Sequence, residues 1–213
     1  TFQSLCGYGS RSLGKKYIES LTWARPKEIF KGQPYVVFDT GIHINDIKQG
    51  GLGDCYLLAV IASIAEYPNR LKRLFLTRTT NEEGIYALTF CINGVFEEII
   101  LDDLFPVQPV SKTAAFNSTI SNELWVMLLE KAYAKVYGAY ANINAGLTRE
   151  AFRDLTGAPS QTYFVQKLTE DQHWAIIKDA DEKHYIMTAQ SGDIGGTGTD
   201  ARDKNTGLSG NHA

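Results

Sequence analysis

The stretch QGGLGDCYLLAVIASIA, residues 49–65, decides how the rest of the chain is read. It opens with Gly50, Gly51 and Gly53, passes Asp54 and Cys55, and enters an apolar run from Tyr56 to Ile64 suited to a buried helix. Asp54 is a natural N-cap, which puts Cys55 in the first turn of that helix. Unpaired amides and the positive end of the helix dipole there favour a thiolate over a thiol. The glycines allow another backbone or a substrate to come close. Gln49, six positions before Cys55, carries an amide donor that the loop can fold back beside the sulfur, as an oxyanion hole requires. The plainer alternative is core packing, the usual fate of a cysteine in an apolar helix.

Composition bounds what surrounds this stretch. The chain has 213 residues, 44% hydrophobic and 21% charged, with a net charge of −3. That length suffices for one domain or two small ones around a sizeable core. The near-neutral balance gives no reason to expect nucleic acid or an anionic membrane as partner. No apolar run reaches the ~18 residues of a transmembrane helix, and the N-terminus lacks the apolar centre of a signal peptide. Cys6, Cys55 and Cys91 are too few and too scattered for a disulfide framework or a zinc site, and their odd number suits a reducing compartment. With Thr1 at one end and Asn211-His212-Ala213 at the other, the chain reads as a fragment of something longer.

Residues 1–22 read as a polar lead-in over the surface, and Tyr35–Phe38 as a short β-prone run. DTGIHIND, residues 39–46, gathers two acids, a glycine and an asparagine just before the nucleophile loop. Hard cations such as Ca²⁺ take oxygens of this kind, although the spacing is not an EF-hand ladder. Beyond the loop, Tyr67-Pro68 stops the helix and Arg70–Phe75 reads as a short helix. Tyr86–Ile92 and Val95–Leu101 flank Asn93-Gly94, the strongest hairpin signal in the chain. Cys91 falls inside the first strand and reads as packing. Asp102 and Asp103, adjacent on a strand, point to opposite faces and make no metal pair. SNELWVMLLEKAYAKVYGAY, residues 121–140, is the strongest helix, with Ser121 or Asn122 as cap, Glu123 in its first turn, and Glu130-Lys131 as a solvated or lobe-structuring pair. Thr148–Leu155 reads as a helix closed by Thr156-Gly157, Leu168–Ala180 as an amphipathic helix, His184–Ala189 as a strand, and Gly192–Gly210 as a loop.

A nucleophilic cysteine needs a histidine to take and return a proton. His43 precedes Cys55 and falls outside the separation of about 130–150 residues typical of papain-like enzymes, whereas the residues alone leave His173, His184 and His212 open.

The stretch from Gln49 to Ala59, with Tyr56 where tryptophan is usual, resembles the active-site signature of the calpain cysteine proteases. The likeness extends through Trp23-Ala-Arg-Pro26 with Glu28-Ile-Phe30, through Asp102-Asp103-Leu-Phe-Pro-Val107, through the helix 121–140, through AFRDLTG (151–157) and through LSGNHA (208–213). It implies an α+β, papain-like cysteine protease fold. The helical first lobe with its small hairpin would span 23–145, and 146–213 would begin a β-rich second lobe, incomplete here. The same resemblance implies that Cys55 is the nucleophile, Gln49 completes the oxyanion hole, His212 is the base, and Gly146 meets the substrate backbone, with Ala145 replacing one of the family's two glycines. It implies a calcium site too, using the carbonyls of Asp39 and Gly41 and the carboxylates of Asp46 and Glu123. The family's third catalytic residue, an asparagine, and the second lobe's own calcium site belong further downstream.

The resemblance, with the cysteine count, implies a calcium-regulated, cytoplasmic cysteine endopeptidase acting on protein or peptide substrates, with regulatory domains or a larger assembly outside these residues. The fragment itself is expected to be weak or inactive. A catalytically inactive calpain-like module used for binding or scaffolding is the competing reading. An acyltransferase on the same fold type has no residue in its favour beyond the Cys–His pair.

Overall fold

The computed structural model describes residues 15–39, 41–192, 207–210 and 212–213. Cys6, the first fourteen residues of the expected lead-in, Thr40 of the acidic loop, Asn211 and residues 193–206 of the expected Gly192–Gly210 loop lie outside the described residues. The architecture is mixed helix and strand, and helix α3, Cys55–Ala65, runs through its centre. Tyr56, Leu57, Leu58, Val60, Ile61, Ile64 and Ala65 of α3 are buried, and each large side chain among them contributes about 1.5–3 kcal/mol on leaving water. Tyr67 and Pro68 end the run, and Pro68 opens the short helix α4, Pro68–Lys72.

A second buried helix, α5 (Trp125–Val136), packs on the hairpin of β3 (Ile85–Ile92) and β4 (Val95–Asp102). The turn holds Asn93 at φ 51° and Gly94 at φ 84°, the paired positive angles a tight two-residue hairpin demands. Alternation sends Tyr86, Leu88 and Phe90 of β3, and Ile99 and Leu101 of β4, into the core. At the end of β4 the adjacent acids part as expected: Asp103 is buried and pairs with Arg25, while exposed Asp102 pairs with Lys131 at 2.5 Å. Two short antiparallel pairs complete the strands. β1 (Thr22–Ala24) runs beside β5 (Phe105–Val107), and β2 (Ile47–Lys48) beside β6 (Ser118–Thr119). Helix α6, Thr148–Thr156, packs on α3 and β3 and ends at Gly157, whose φ of 68° closes it. Before the β1 pair lies α1, Lys15–Ser20, and after it comes α2, Pro26–Ile29.

Several expectations need correction. Residues before Trp23 are not only a surface strap, since Ile18 of α1 and Leu21 are in the core. Tyr35–Phe38 forms no strand, only a bridge from Val36 to Glu123. Residues 121–124 do not join α5, because they are already engaged. The Val36 carbonyl accepts from Leu124 N at 3.0 Å, and the Ser121 hydroxyl donates to Glu123 at 2.5 Å. At the other end Gly138, φ 90°, comes just after the last turn, so the helix stops short of Tyr140. Glu130 is not a solvated partner of Lys131 but buried, while Lys131 reaches Asp102 and the Leu104 carbonyl. The expected strand at His184–Ala189 is absent. Helix α7, Glu170–Glu182, ends with a reversal in which His184 takes φ 54° and Tyr185 N donates to Ala180 O. Among the described residues no strand pairs with 184–189.

Candidate active site

The nucleophile loop is held by backbone and by two side chains. Gly50 N donates to Asn117 Oδ1 at 3.1 Å, Gly51 N to Ala115 O at 3.0 Å, and Gly53 N to Asn144 Oδ1 at 2.8 Å. Ala145 N returns a bond to Gly53 O at 2.8 Å. These approaches are so close that a Cβ on Gly50 would lie 2.1 Å from the Phe116 carbonyl oxygen, so only glycine fits there.

Cys55 comes next as the first residue of α3, half-buried and in no disulfide. Its amide has no intrahelical acceptor and adds to the positive end of the helix. Asp54 does occupy the N-cap position, but its side chain makes no cap bond; only its carbonyl starts the helix, accepting from Leu57 N and Leu58 N. Gln49 is exposed and its Nε2 donates across the turn to Leu52 O at 3.2 Å. The loop therefore carries both the thiol and the amide that the sequence singled out.

His212 lies near the other end of the chain. It is exposed and tied through its backbone: its amide donates to Ser191 Oγ at 3.0 Å and its carbonyl accepts from Ser191 N at 2.8 Å. Among the described residues no hydrogen bond joins its ring to the Cys55 thiol. In free enzymes such bonds are often long and tighten only with substrate.

Gly146 is packed against Tyr56. A Cβ at Gly146 would fall 2.5 Å from that ring, and the Tyr56 hydroxyl donates to Ile143 O at 3.2 Å. Ala145 beside it takes φ 69°, a left-handed conformation that glycine adopts without cost. A surface groove of about 510 Å³, lined by Glu66, Tyr67, Pro68 and Arg70, sits at the far end of α3 and has no part in this site.

Sequence reasoning missed a buried polar cluster directly behind Cys55. Asp54, fully buried, accepts at Oδ2 from Asn117 Nδ2 at 2.5 Å. Glu130 of α5, equally buried, accepts from Asn117 N at 3.2 and 3.3 Å and shares a hydrogen bond with Asp54. Burial pushes the Asp54 carboxyl up to about 7, and burial together with the neighbouring Asp54 raises Glu130 well above the usual carboxylate range. Two carboxyls buried side by side favour the protonated form, so the pair holds on to a proton that dilute carboxylates would lose. The signal that could have found the cluster is an acid inside an otherwise apolar helix, LWVMLLEKAY.

Of the residues assigned to calcium, Asp39 and Glu123 are in contact. Glu123 is buried, with Oε1 accepting from Asp39 N at 2.7 Å and Oε2 from Ser121 Oγ. Asp46 and Gly41 are half-buried on the same loop, and the Asp46 carbonyl accepts from Ile120 N at 2.8 Å. Among the described residues no three His, Cys, Asp or Glu side chains converge, so a cation here would have to draw on backbone carbonyls as well. An all-oxygen set of that kind suits a hard cation.

Comparison with known proteins supplies the wider context. The family described as calpain family cysteine protease matches residues 3–213. The calpain-type cysteine protease ADL1 of Oryza sativa subsp. japonica is 33% identical over 202 residues, which cover 90% of this chain and 9% of that protein. DEK1 of Zea mays, also a calpain-type cysteine protease, shows the same identity over the same shares. The calpain-1 catalytic subunit of Mus musculus is 36% identical over 181 residues, 83% of this chain and 24% of its own. The chain thus spans a tenth to a quarter of the length of these relatives.

Proposed function

The chain belongs to the calpain family of cysteine proteases, and on that premise we propose that it carries the nucleophile side of a calcium-regulated cysteine endopeptidase. The observation that supports this most strongly is the seating of Cys55 at the first position of a buried helix, on a loop pinned at Gly50, Gly51 and Gly53. In this reading the Cys55 thiolate attacks the scissile carbonyl carbon and an S–C bond forms. The resulting oxyanion is held by the Cys55 amide and the Gln49 carboxamide. His212, protonated by the thiol, gives that proton to the leaving amine as the C–N bond breaks, and the thioester is then hydrolysed by water that His212 deprotonates. Gly146 presents backbone to an extended peptide between a first lobe, 23–145, and a second, 146–213.

Calcium, held through the carbonyls of Asp39 and Gly41 and the carboxylates of Asp46 and Glu123, would supply charge that fixes the loop before the nucleophile. Protein substrates, further regulatory domains and a reducing cytoplasmic setting belong to the same reading. It is supported by Cys55 and Cys91 remaining free thiols and by relatives that are several times longer. No helix among the described residues is long and apolar enough to cross a membrane.

A catalytically silent binding module is the alternative, favoured by the lack of a thiol–imidazole hydrogen bond among the described residues. Labelling of the full-length protein with an irreversible peptide epoxide separates the two. We expect labelling at Cys55, dependent on Ca²⁺ and absent in Cys55→Ser. Labelling indifferent to Ca²⁺ would remove the calcium assignment and keep the protease. A folded protein that resists the epoxide would make the module the better reading.

A further inference from the structure

We propose that Asn117 is a positioning residue for the nucleophile loop, clamping Gly50 at its start and Asp54 at its end through one carboxamide that Glu130 holds in place. The inference deepens the protease reading above and rests on it. The geometry is asymmetric in a way that only an amide satisfies. Asn117 Oδ1 accepts from Gly50 N at 3.1 Å, while its Nδ2 donates to Asp54 Oδ2 at 2.5 Å. A carboxylate could not donate, and a hydroxyl is too short to reach both ends. Its own backbone is fixed from the other side, where Asn117 N donates to Glu130 of α5. The neighbouring carbonyl of Phe116 already fills the space a Cβ on Gly50 would need, so the loop start is hemmed in from two directions.

A second observation points the same way. Asp54 Oδ1 is buried and finds no hydrogen-bond donor as long as both carboxyls are taken as ionised. A proton shared with Glu130, whose carboxyl shares a hydrogen bond with Asp54, brings a donor to this carboxyl. Besides that partner, the titratable groups facing the pair are Tyr56 from α3 and Tyr140 from the 3₁₀ turn Tyr140–Ile143, and among the described residues no basic side chain neutralises it. The cluster is closed to water, and it joins α5, the strand region before β6 and the loop that carries Gln49 and Cys55. Such a unit fixes where the thiol lies relative to the oxyanion donors without touching substrate.

The test uses the full-length protein and two variants. Asn117→Ser cannot span the clamp, and Glu130→Gln keeps an acceptor while making the donor to Asp54 permanent. In Asn117→Ser, amide exchange across residues 49–54 should accelerate about three- to tenfold, the weight of one lost hydrogen bond. Its maximal rate of inactivation by the peptide epoxide should fall about a hundredfold with the half-saturating concentration unchanged, as a misplaced reacting group requires. Alkylation of Cys55 by iodoacetamide, which needs no oxyanion hole, should stay within about twofold of wild type. Glu130→Gln should keep the wild-type inactivation rate and extend it to higher pH.

Unchanged exchange in a folded Asn117→Ser would overturn the clamp, as would a loss confined to half-saturation. Equal damage from Glu130→Gln would overturn the role given to the shared proton. Should the wild type take iodoacetamide at Cys55 but never the epoxide, the endopeptidase reading falls. Exchange across 49–54 then decides the clamp alone.

Discussion

Helices α5 and α7 have nearly the same length, twelve and thirteen residues, and opposite fates. Nine residues of α5 are buried, including its one acid, Glu130; α7 buries none, and Trp174 and Ile177 stand exposed. What holds α7 is local. Thr169 and Gln172 form a capping box at its start, and Lys178–Glu182 and Lys183–Asp179 pair one turn apart along it. What holds α5 is everything around it: hairpin, loop and α3. The nucleophile side is therefore specified by tertiary packing, and α7 by short-range chemistry. Cys55 belongs to the first regime and His212 to neither.

The widest gap between the two regimes should appear on truncating an aliphatic side chain. Leu128→Ala in α5 is expected to cost about 2–5 kcal/mol in urea unfolding, whereas Ile177→Ala in α7 should stay within about 0.5 kcal/mol. A loss at Ile177 matching that at Leu128 would break the comparison and mean that α7 is covered in solution.

Acids sharpen the contrast next. The Asp54 carboxyl is raised by burial, so its favourable contribution is complete below about 4 and lost as pH rises through about 7. Asp54→Asn mimics the protonated form at every pH. Relative to that variant, wild type should lose stability on the order of a few kcal/mol between pH 4 and neutrality, measured by denaturant unfolding at each pH. A constant difference would mean that Asp54 is already ionised at pH 4.

Smallest is the cap. Thr169→Ala should weaken α7 by about 1 kcal/mol, seen as faster amide exchange over residues 170–182, with the melting temperature of the α3–α5 core unmoved. A drop in that temperature would show the two regions unfolding together.

The same division explains what could be read from the chain unaided. α3, the 85–102 hairpin and the Gly157 stop were legible because each is written in a local code: an apolar run, an Asn-Gly turn, a glycine after a helix. The cluster around Asn117 was not, because its members lie at 54, 117 and 130 and only the fold brings them together. Glu130 read as half of a solvated or lobe-structuring pair with Lys131 because charged neighbours on a helix usually are one. α5 is buried almost all round, and that depends on neighbours supplied by distant sequence. His184–Ala189 looked like a strand on residue type alone, yet a strand exists only by pairing, and none of the described residues offers it an edge. The base was the least legible part of the site. His212 was preferred over His173 and His184 by a short motif rather than by physical chemistry, and its described contacts are with Ser191.

The ring of Tyr56 has a mechanical consequence. It sits one residue after Cys55 in the same helix, fills the space beside Gly146, and hydrogen-bonds the Ile143 carbonyl. Gly53, two residues before Cys55, is bonded to Asn144 and Ala145. The wall of the 143–146 loop is thus gauged from the same helix end that carries the sulfur, as two parts are machined from one datum. Whatever shifts α3 along its axis carries wall and sulfur together, and their separation survives displacements that would misalign a cleft built from independent supports.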